Sequence, residues 1–205
     1  EGAIPLLMKN LESEDDNVRV ASVVAIGRIN PTQNGKDALL EILKEGSQPE
    51  LRATVWALVQ HKKLMEGEVQ EILKSTDKDE VKIACAKYFS RAVDESAAPL
   101  VAKLLKSDNL EVRYEACKTL QNTPHPPATA DIIATVRKFH AAGKKEMLMT
   151  ACTTLAMSAS GEYADPVFEE MKKNDIPKLL EAARNYVKRL TPQEVYSFVR
   201  DALTS

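Results

Sequence analysis

One short pattern recurs about every 32 residues along this chain, and it limits the possible folds more than any other feature. In each copy of the pattern, an apolar residue comes directly before a reference residue that we call the anchor. The anchors are residues 19, 52, 82, 113, 148 and 180. The residue seven places after each anchor is also apolar in every case. Self-similarity at a fixed period of this length is the signature of a repeat architecture. The sequence therefore predicts six successive structural repeats.

Each repeat is predicted to form two helices, helix A and helix B, joined by a polar turn. In the fourth repeat, Pro99 to Leu105 predicts helix A, because proline fits the first turn of a helix, where its missing N–H costs nothing. Ser107, Asp108 and Asn109 then supply turn and N-cap residues. Helix B carries the anchor, with apolar residues spaced along one helical face. One such hairpin cannot bury its own apolar face, so neighbouring hairpins are expected to stack.

The predicted fold is an all-α, right-handed α-solenoid of about six helical hairpins followed by a C-terminal helix. The chain has only 7 glycines, and Asn34-Gly35 is its one hairpin-turn signature, which argues against an all-β fold. Thr191-Pro192-Gln193-Glu194 is a capping box that predicts the last helix. We expect one solenoid domain over 1–205, with repeats at about 2–30, 35–61, 66–92, 95–122, 127–157 and 162–189 and a terminal helix at 192–203.

The segment Asp15 to Ile29 places Val18-Arg19 before small and apolar residues, and it resembles the short HEAT repeats of bacterial and archaeal proteins. These include the phycobilin-lyase-like HEAT families. Ser107 to Leu120 is the next most similar segment, whereas the last two repeats have Leu148 and Leu180 where a basic residue is usual. The resemblance covers nearly the whole chain and implies a solenoid fold, but it carries little information about function.

The sequence predicts no catalytic residue, no cofactor and no metal site, and hence a protein that is not an enzyme. No nucleophile elbow or glycine-rich phosphate loop occurs. The histidines lack a second histidine or cysteine at ligand spacing, and we expect them at helix ends or in a proline-rich turn: His61, His125 and His140. The cysteines fall at small-residue positions of helix B and are expected to pack as small hydrophobes: Cys85, Cys117 and Cys152.

Charge and hydropathy restrict the partners. The formal net charge of −2 makes nucleic-acid binding a less favoured function, and no apolar run is long enough to predict a membrane span. Unpaired cysteines favour a cytoplasmic location, although a periplasmic form after signal cleavage stays open because the chain begins Glu1-Gly2. The apolar first turn around Ile4 and Leu6 leads us to expect that the chain belongs to a longer protein or docks at this edge.

Four of the anchors are basic and form a ladder: Arg19, Arg52, Lys82 and Arg113. This ladder could bind an acidic partner, but we favour a stacking role in which it pairs with acidic turn residues of neighbouring repeats. The expected carboxylate partners are Asp15, Asp79 and Asp108. Trp56, the one tryptophan, falls four places after its anchor and is expected in the core.

A binding surface is predicted on the exposed side of helix B, which lines the concave surface of HEAT solenoids. Positions 2, 5 and 9 after the anchor are expected to lie there, and they give the following set: Ala21, Val24, Arg28, Thr54, Ala57, His61, Ala84, Lys87, Arg91, Glu115, Lys118, Asn122, Thr150, Thr153 and Met157. The predicted partner-binding residues are Arg28, His61, Lys87, Arg91 and Lys118. The expected ligand is an acidic or mixed polar segment of a protein, and the alternative is an ordinary solvated face.

The leading functional prediction is a non-catalytic protein-interaction scaffold. One alternative is a lyase-like or chromophore-attachment HEAT subunit that acts with a partner subunit. Another is a HEAT-like nucleic-acid-binding module, which the absence of aromatic residues from the predicted groove positions disfavours.

Overall fold

A computed structural model of the chain describes residues 3–29, 32–61 and 65–158. These residues contain ten α-helices and no strand, which confirms the predicted all-α class. The helices are α1 Ala3–Asn10, α2 Asp16–Arg28, α3 Gln33–Glu45, α4 Gln48–Gln60, α5 Glu66–Ser75, α6 Asp79–Ala92, α7 Ala98–Lys103, α8 Leu110–Asn122, α9 Thr129–Ala141 and α10 Lys145–Ser158. Short 3₁₀ turns occupy Glu95–Ala97, Leu104–Lys106 and Pro126–Ala128.

The helices begin where the sequence provides side chains that can accept the unpaired N–H groups of the first turn. Asp15 Oδ1 accepts from the Asn17 backbone N–H at 2.8 Å at the start of α2. Asn109 Oδ1 accepts from the Glu111 backbone N–H at 2.9 Å at the start of α8. Local sequence therefore determines where these helix B segments start.

The chain divides into two compact bodies, 1–100 and 101–205, with the division inside α7. In the first body the helices alternate between two layers. The A layer contains α1, α3 and α5, and the B layer contains α2, α4 and α6, with each hairpin packed across the layers and each layer packed along itself. The interior is filled by fully buried apolar side chains, among them Ile26, Leu39, Leu43, Leu58 and Phe89.

In the second body, α10 packs against both α8 and α9, and the 3₁₀ turn Leu104–Lys106 packs against α8 and α9. Its buried side chains include Leu105, Leu120, Ile132, Ile133 and Phe139. Burying a side chain of this size stabilises a fold by about 1.5–3 kcal/mol relative to exposing it, so these residues hold the hairpins together.

Some predictions are not tested by the described residues. The sixth repeat at 162–189 and the terminal helix at 192–203 lie outside them. The prediction of one continuous solenoid domain over 1–205, with the repeat bounds given above, stays a prediction.

Candidate partner-binding surface

The exposed side of helix B follows positions 1, 5 and 9 after the anchor in α2, α6 and α8, and positions 5 and 9 in α10. Successive members lie one helical turn apart and are half-buried or exposed. In α4 the exposed side follows the anchor itself and the residues four and eight places later. We call this surface the B-helix stripe. In the first body it consists of Val20, Val24, Arg28, Arg52, Trp56, Gln60, Ile83, Lys87 and Arg91, and in the second of Tyr114, Lys118, Asn122, Thr153 and Met157.

The prediction that position 2 after the anchor faces solvent is wrong in α4, α6 and α8. Thr54 is 0% exposed, Ala84 4% and Glu115 2%. Ala57, predicted to be exposed at position 5, is also 0% exposed. Each of these helices is covered on more than one side by neighbouring helices or turns of its own body, and this packing covers position 2 as well as the core positions.

The predicted binding residues of the first body do not all have the same role. Arg28 and Arg91 are exposed in the last turns of α2 and α6, and Lys87 is half-buried one turn before Arg91. His61 caps the end of α4, and its Nε2 lies 3.1 Å from the carbonyl oxygen of Gly27. The imidazole therefore ties α4 to α2.

Trp56 was predicted to lie in the core, but it is half-buried on the stripe. Its indole packs toward α2 at Gly27, where a Cβ atom would lie 3.1 Å from Trp56 Cζ3 and 2.5 Å from Ala57 Cβ. Only a glycine allows the backbones of α2 and α4 to approach so closely. The indole is thus held beside α2, on the same helix face as Arg52 and against the residue that precedes Arg28.

In the second body, Lys118 belongs to a polar network. Its Nζ lies 3.0 Å from Glu115 Oε1 and 5.0 Å from the centroid of the Tyr114 ring, within reach of a cation–π interaction. Tyr114 Oη donates to Glu146 Oε1 at 2.9 Å. Burial and this hydrogen bond raise the pKa of the Tyr114 phenol, which keeps it a neutral donor. Sequence reasoning missed Tyr114 because it placed the exposed side one position too far along the helix.

Two members of the basic ladder, Arg19 and Arg113, link neighbouring repeats, but not through the predicted carboxylates. Arg19 Nε donates to Glu50 Oε1 of the following repeat at 2.9 Å, rather than to Asp15. Arg113 Nη1 donates to Thr135 Oγ1 of the following repeat at 3.0 Å, and burial lowers the pKa of its guanidinium.

Of the other two expected carboxylates, Asp108 pairs outside the ladder and Asp79 pairs with a ladder residue of its own helix. Asp108 accepts from Lys138 Nζ at 2.9 Å, a contact that lowers the pKa of Asp108. Lys82 and Asp79 lie 3.7 Å apart within the same helix, so this pair does not link repeats.

The three cysteines are buried and unpaired, as predicted for packing residues: Cys85, Cys117 and Cys152. Burial raises the pKa of the Cys85 and Cys117 thiols to about 12 and that of Cys152 to about 11. The thiols are therefore protonated at neutral pH and weak as nucleophiles.

The histidines lie where the sequence placed them: His61 at the end of α4, His140 in the last turn of α9 and His125 beside the turn Pro126–Ala128. Within the described part of the chain, no group of three or more His, Cys, Asp or Glu side chains is arranged to hold a metal ion. None of the described helices combines the length and apolarity needed to cross a membrane.

Comparison with known proteins defines the fold. No protein-family model matches the chain, and no curated protein matches it in sequence. Solved structures do match. A designed armadillo repeat protein in complex with peptide (KR)4 is 18% identical, with a TM-score of 0.54 over 98% of each chain. A second designed armadillo repeat protein is 16% identical, with a TM-score of 0.53 and the same coverage. An engineered protein is 18% identical, with a TM-score of 0.54 over 98% of this chain and 95% of its own. The chain therefore has the fold of helical-repeat α-solenoids.

Proposed function

We propose that this protein is a non-catalytic scaffold of HEAT type that binds an extended, acidic segment of a partner protein along the B-helix stripe of the first body. The observation that carries the proposal is the repetition of side-chain chemistry at equivalent positions. In the first body, α2 presents Val20, Val24 and Arg28 on the stripe, and α6 presents Ile83, Lys87 and Arg91 at the same three positions. Repeated surfaces of this kind suit extended ligands, because successive repeats offer similar contacts to successive ligand residues.

The charge of the stripe supports an acidic ligand. Its residues in the first body include four cations and no carboxylate, although the whole chain has a net charge of −2. The four cations are Arg28, Arg52, Lys87 and Arg91. A designed armadillo neighbour is in complex with the basic peptide (KR)4. We expect this chain to prefer peptides of the opposite charge, because like charges across an interface are repelled.

The assignment to the short HEAT type rests on the Val18-Arg19 repeat signature, and a cytoplasmic location rests on the three buried, unpaired thiols.

Single-stranded nucleic acid is a second candidate ligand, and one observation favours it. The stripe contains the aromatic side chains of Trp56 and Tyr114, which the sequence had not placed on this surface. Bases stack on such rings, and a polyanionic backbone contacts cations. The net charge of −2 argues against it, since nucleic-acid binders usually have a basic excess.

The test is fluorescence anisotropy with a labelled peptide of alternating aspartate and glutamate, against a labelled lysine–arginine peptide and a labelled oligonucleotide. The stripe variant is K87E/R91E in the first body. The control, K44E/K74E, makes the same charge change as K87E/R91E on α3 and α5, where both lysines are 50% exposed.

We expect the acidic peptide to bind best and the stripe variant to weaken binding by about fivefold or more, with the control close to wild type. Equal affinity for the acidic and basic peptides, or wild-type affinity in the stripe variant, would contradict the proposal. Tighter binding of the oligonucleotide than of the acidic peptide would favour the second candidate.

A further inference from the structure

We infer that Trp56, with Arg28 and Arg52 beside it, forms a subsite that takes an apolar side chain flanked by carboxylates. The inference rests on the proposed function and specifies the sequence of the acidic segment. It assigns the central contact to a residue that the repeat pattern had placed in the core.

The position of Trp56 is fixed before any ligand arrives. A Cβ at Gly27 would lie 3.1 Å from Trp56 Cζ3, so one edge of the indole packs against the bare backbone of α2. Ala57 of α4 also packs closely against Gly27, and His61 Nε2 lies 3.1 Å from the Gly27 carbonyl oxygen. These two contacts hold α2 and α4 together beside the indole. A ring held in this way loses little conformational freedom on binding, and preorganisation of this kind strengthens binding.

Trp56 is the only aromatic residue among the stripe residues of the first body. The stripe residues that correspond to it are Val24 in α2 and Lys87 in α6. Tryptophan is the residue type most enriched among those that dominate binding energies, because it combines a large apolar area with few rotatable bonds. The half-buried indole is therefore the strongest candidate anchor on the stripe of the first body.

The two arginines beside Trp56 determine the charge of the ligand. Arg52 precedes Trp56 by one helical turn, and Arg28 follows Gly27 on α2. Both side chains are exposed, and neither guanidinium forms an ion pair with a carboxylate in the described part of the chain. A guanidinium can bind a carboxylate through two parallel hydrogen bonds. An apolar ligand residue on Trp56 with acidic neighbours on both sides satisfies all three groups together.

The experiment uses two measurements on the whole chain. Trp56 is the one tryptophan among the 205 residues, so intrinsic tryptophan emission reports on this subsite alone. The probes are a peptide that alternates glutamate with leucine and a second peptide in which serine replaces leucine, so that the charge and length are the same. Anisotropy of labelled peptide measures binding anywhere on the protein, and emission measured with unlabelled peptide reports contact at Trp56.

We expect the glutamate–leucine peptide to change Trp56 emission and to bind about tenfold more tightly than the glutamate–serine peptide. The R28E and R52E variants should each weaken the glutamate–leucine peptide by several-fold. The variant W56F, which keeps an aromatic ring against Gly27, should lower the preference for leucine over serine without altering the circular dichroism of the helices. The emission change in the wild-type protein needs no variant and stays informative if W56F unfolds.

Each contrary outcome has a distinct meaning. If both peptides bind equally and tryptophan emission does not change, the subsite inference is wrong and the proposed function stands. If neither peptide binds by anisotropy, the proposed function is wrong as well. If a single-stranded oligonucleotide quenches Trp56 and displaces the glutamate–leucine peptide at lower concentration, the site is a nucleic-acid site and the inference is overturned.

Discussion

Arg19 Nε and Glu50 Oε1 lie 2.9 Å apart and join α2 to the first turn of α4. The same carboxylate also accepts from the backbone N–H of Ser47 at 2.8 Å, so it caps α4 as well. Burial raises the pKa of Glu50, but the hydrogen bonds from Ser47 and Arg19 outweigh that effect, and the net pKa lies below its usual value. One side chain thus both starts a helix and holds it against the preceding repeat.

The substitution Glu50→Gln should destabilise the fold at neutral pH by about 1–3 kcal/mol, because it weakens hydrogen bonds that require the charged carboxylate. A lowered folded-state pKa gives stability that is present above the unfolded pKa and is lost as pH falls through the folded pKa. The difference between wild type and E50Q should therefore disappear in acid. Urea unfolding at neutral pH and at about pH 3 measures it.

The control for this prediction is Glu41→Gln, which removes a carboxylate that is 66% exposed and paired with Lys44. Surface pairs of this kind contribute less than about 1 kcal/mol. If E41Q and E50Q cost the same, the Arg19–Glu50 pair has no special role in stacking.

The substitution Gly27→Ala should separate α2 from α4, because its Cβ would lie 2.5 Å from Ala57 Cβ and 2.7 Å from Ala57 Cα. We expect a loss of about 1–3 kcal/mol in the free energy of unfolding, despite the higher helix propensity of alanine. Gly67→Ala is the matched control, since among the described residues nothing beyond its chain neighbours and its own helix backbone lies within 4 Å of the added Cβ. That change should be neutral or stabilise by up to about 1 kcal/mol. Thermal unfolding of both variants measures the change in stability, and an unchanged Tm for G27A would disprove the close contact.

The substitution Val93→Gly should stabilise the protein. Val93 ends α6 with φ of 56°, a left-handed conformation that is strained for a β-branched residue, and its side chain is 51% exposed. Relieving that strain is expected to gain about 1 kcal/mol, less the greater unfolded-state entropy of glycine. Thr76→Gly at the end of α5, where φ is −90°, should instead be destabilising. Chemical denaturation compares the two, and destabilisation by V93G would contradict the strain.

The three buried thiols should react with Ellman's reagent about 100-fold more slowly in the native protein than in denaturant, because reaction requires an exposed thiolate. The rate should follow local or global unfolding rather than the pH dependence of an exposed thiol. Rapid reaction of even one cysteine under native conditions would show that its burial is incomplete.

Much of the fold is predictable from short stretches of sequence. Asp15 and Asn109 accept hydrogen bonds from backbone groups two or three residues away, so the start of α2 and α8 depends on adjacent residues alone. Three of the apolar residues that precede anchors, Leu51, Val81 and Val112, are buried in the interior. Periodicity at this level needs no knowledge of which helix packs against which.

The partners of charged side chains were not predictable in the same way. Arg19 was expected to bind an acidic turn residue of a neighbouring repeat; it pairs with Asp16 of its own helix and, across the repeats, with Glu50, which is 31 residues away in sequence. Several acidic residues lie near the ladder in sequence, and only the relative placement of α2 and α4 selects among them.

The sequence by itself determined the repeat, the two-helix hairpin and the inward-facing apolar residues, because each depends on local periodicity. The tertiary structure decided which side of helix B is exposed. Consecutive residues are about 100° apart around a helix, so positions 1 and 2 after the anchor lie on either side of the line that points away from the core. The sequence pattern allows either position to be exposed. In α8 the packing of neighbouring helices covers Glu115 at position 2 and leaves Tyr114 at position 1 half-exposed.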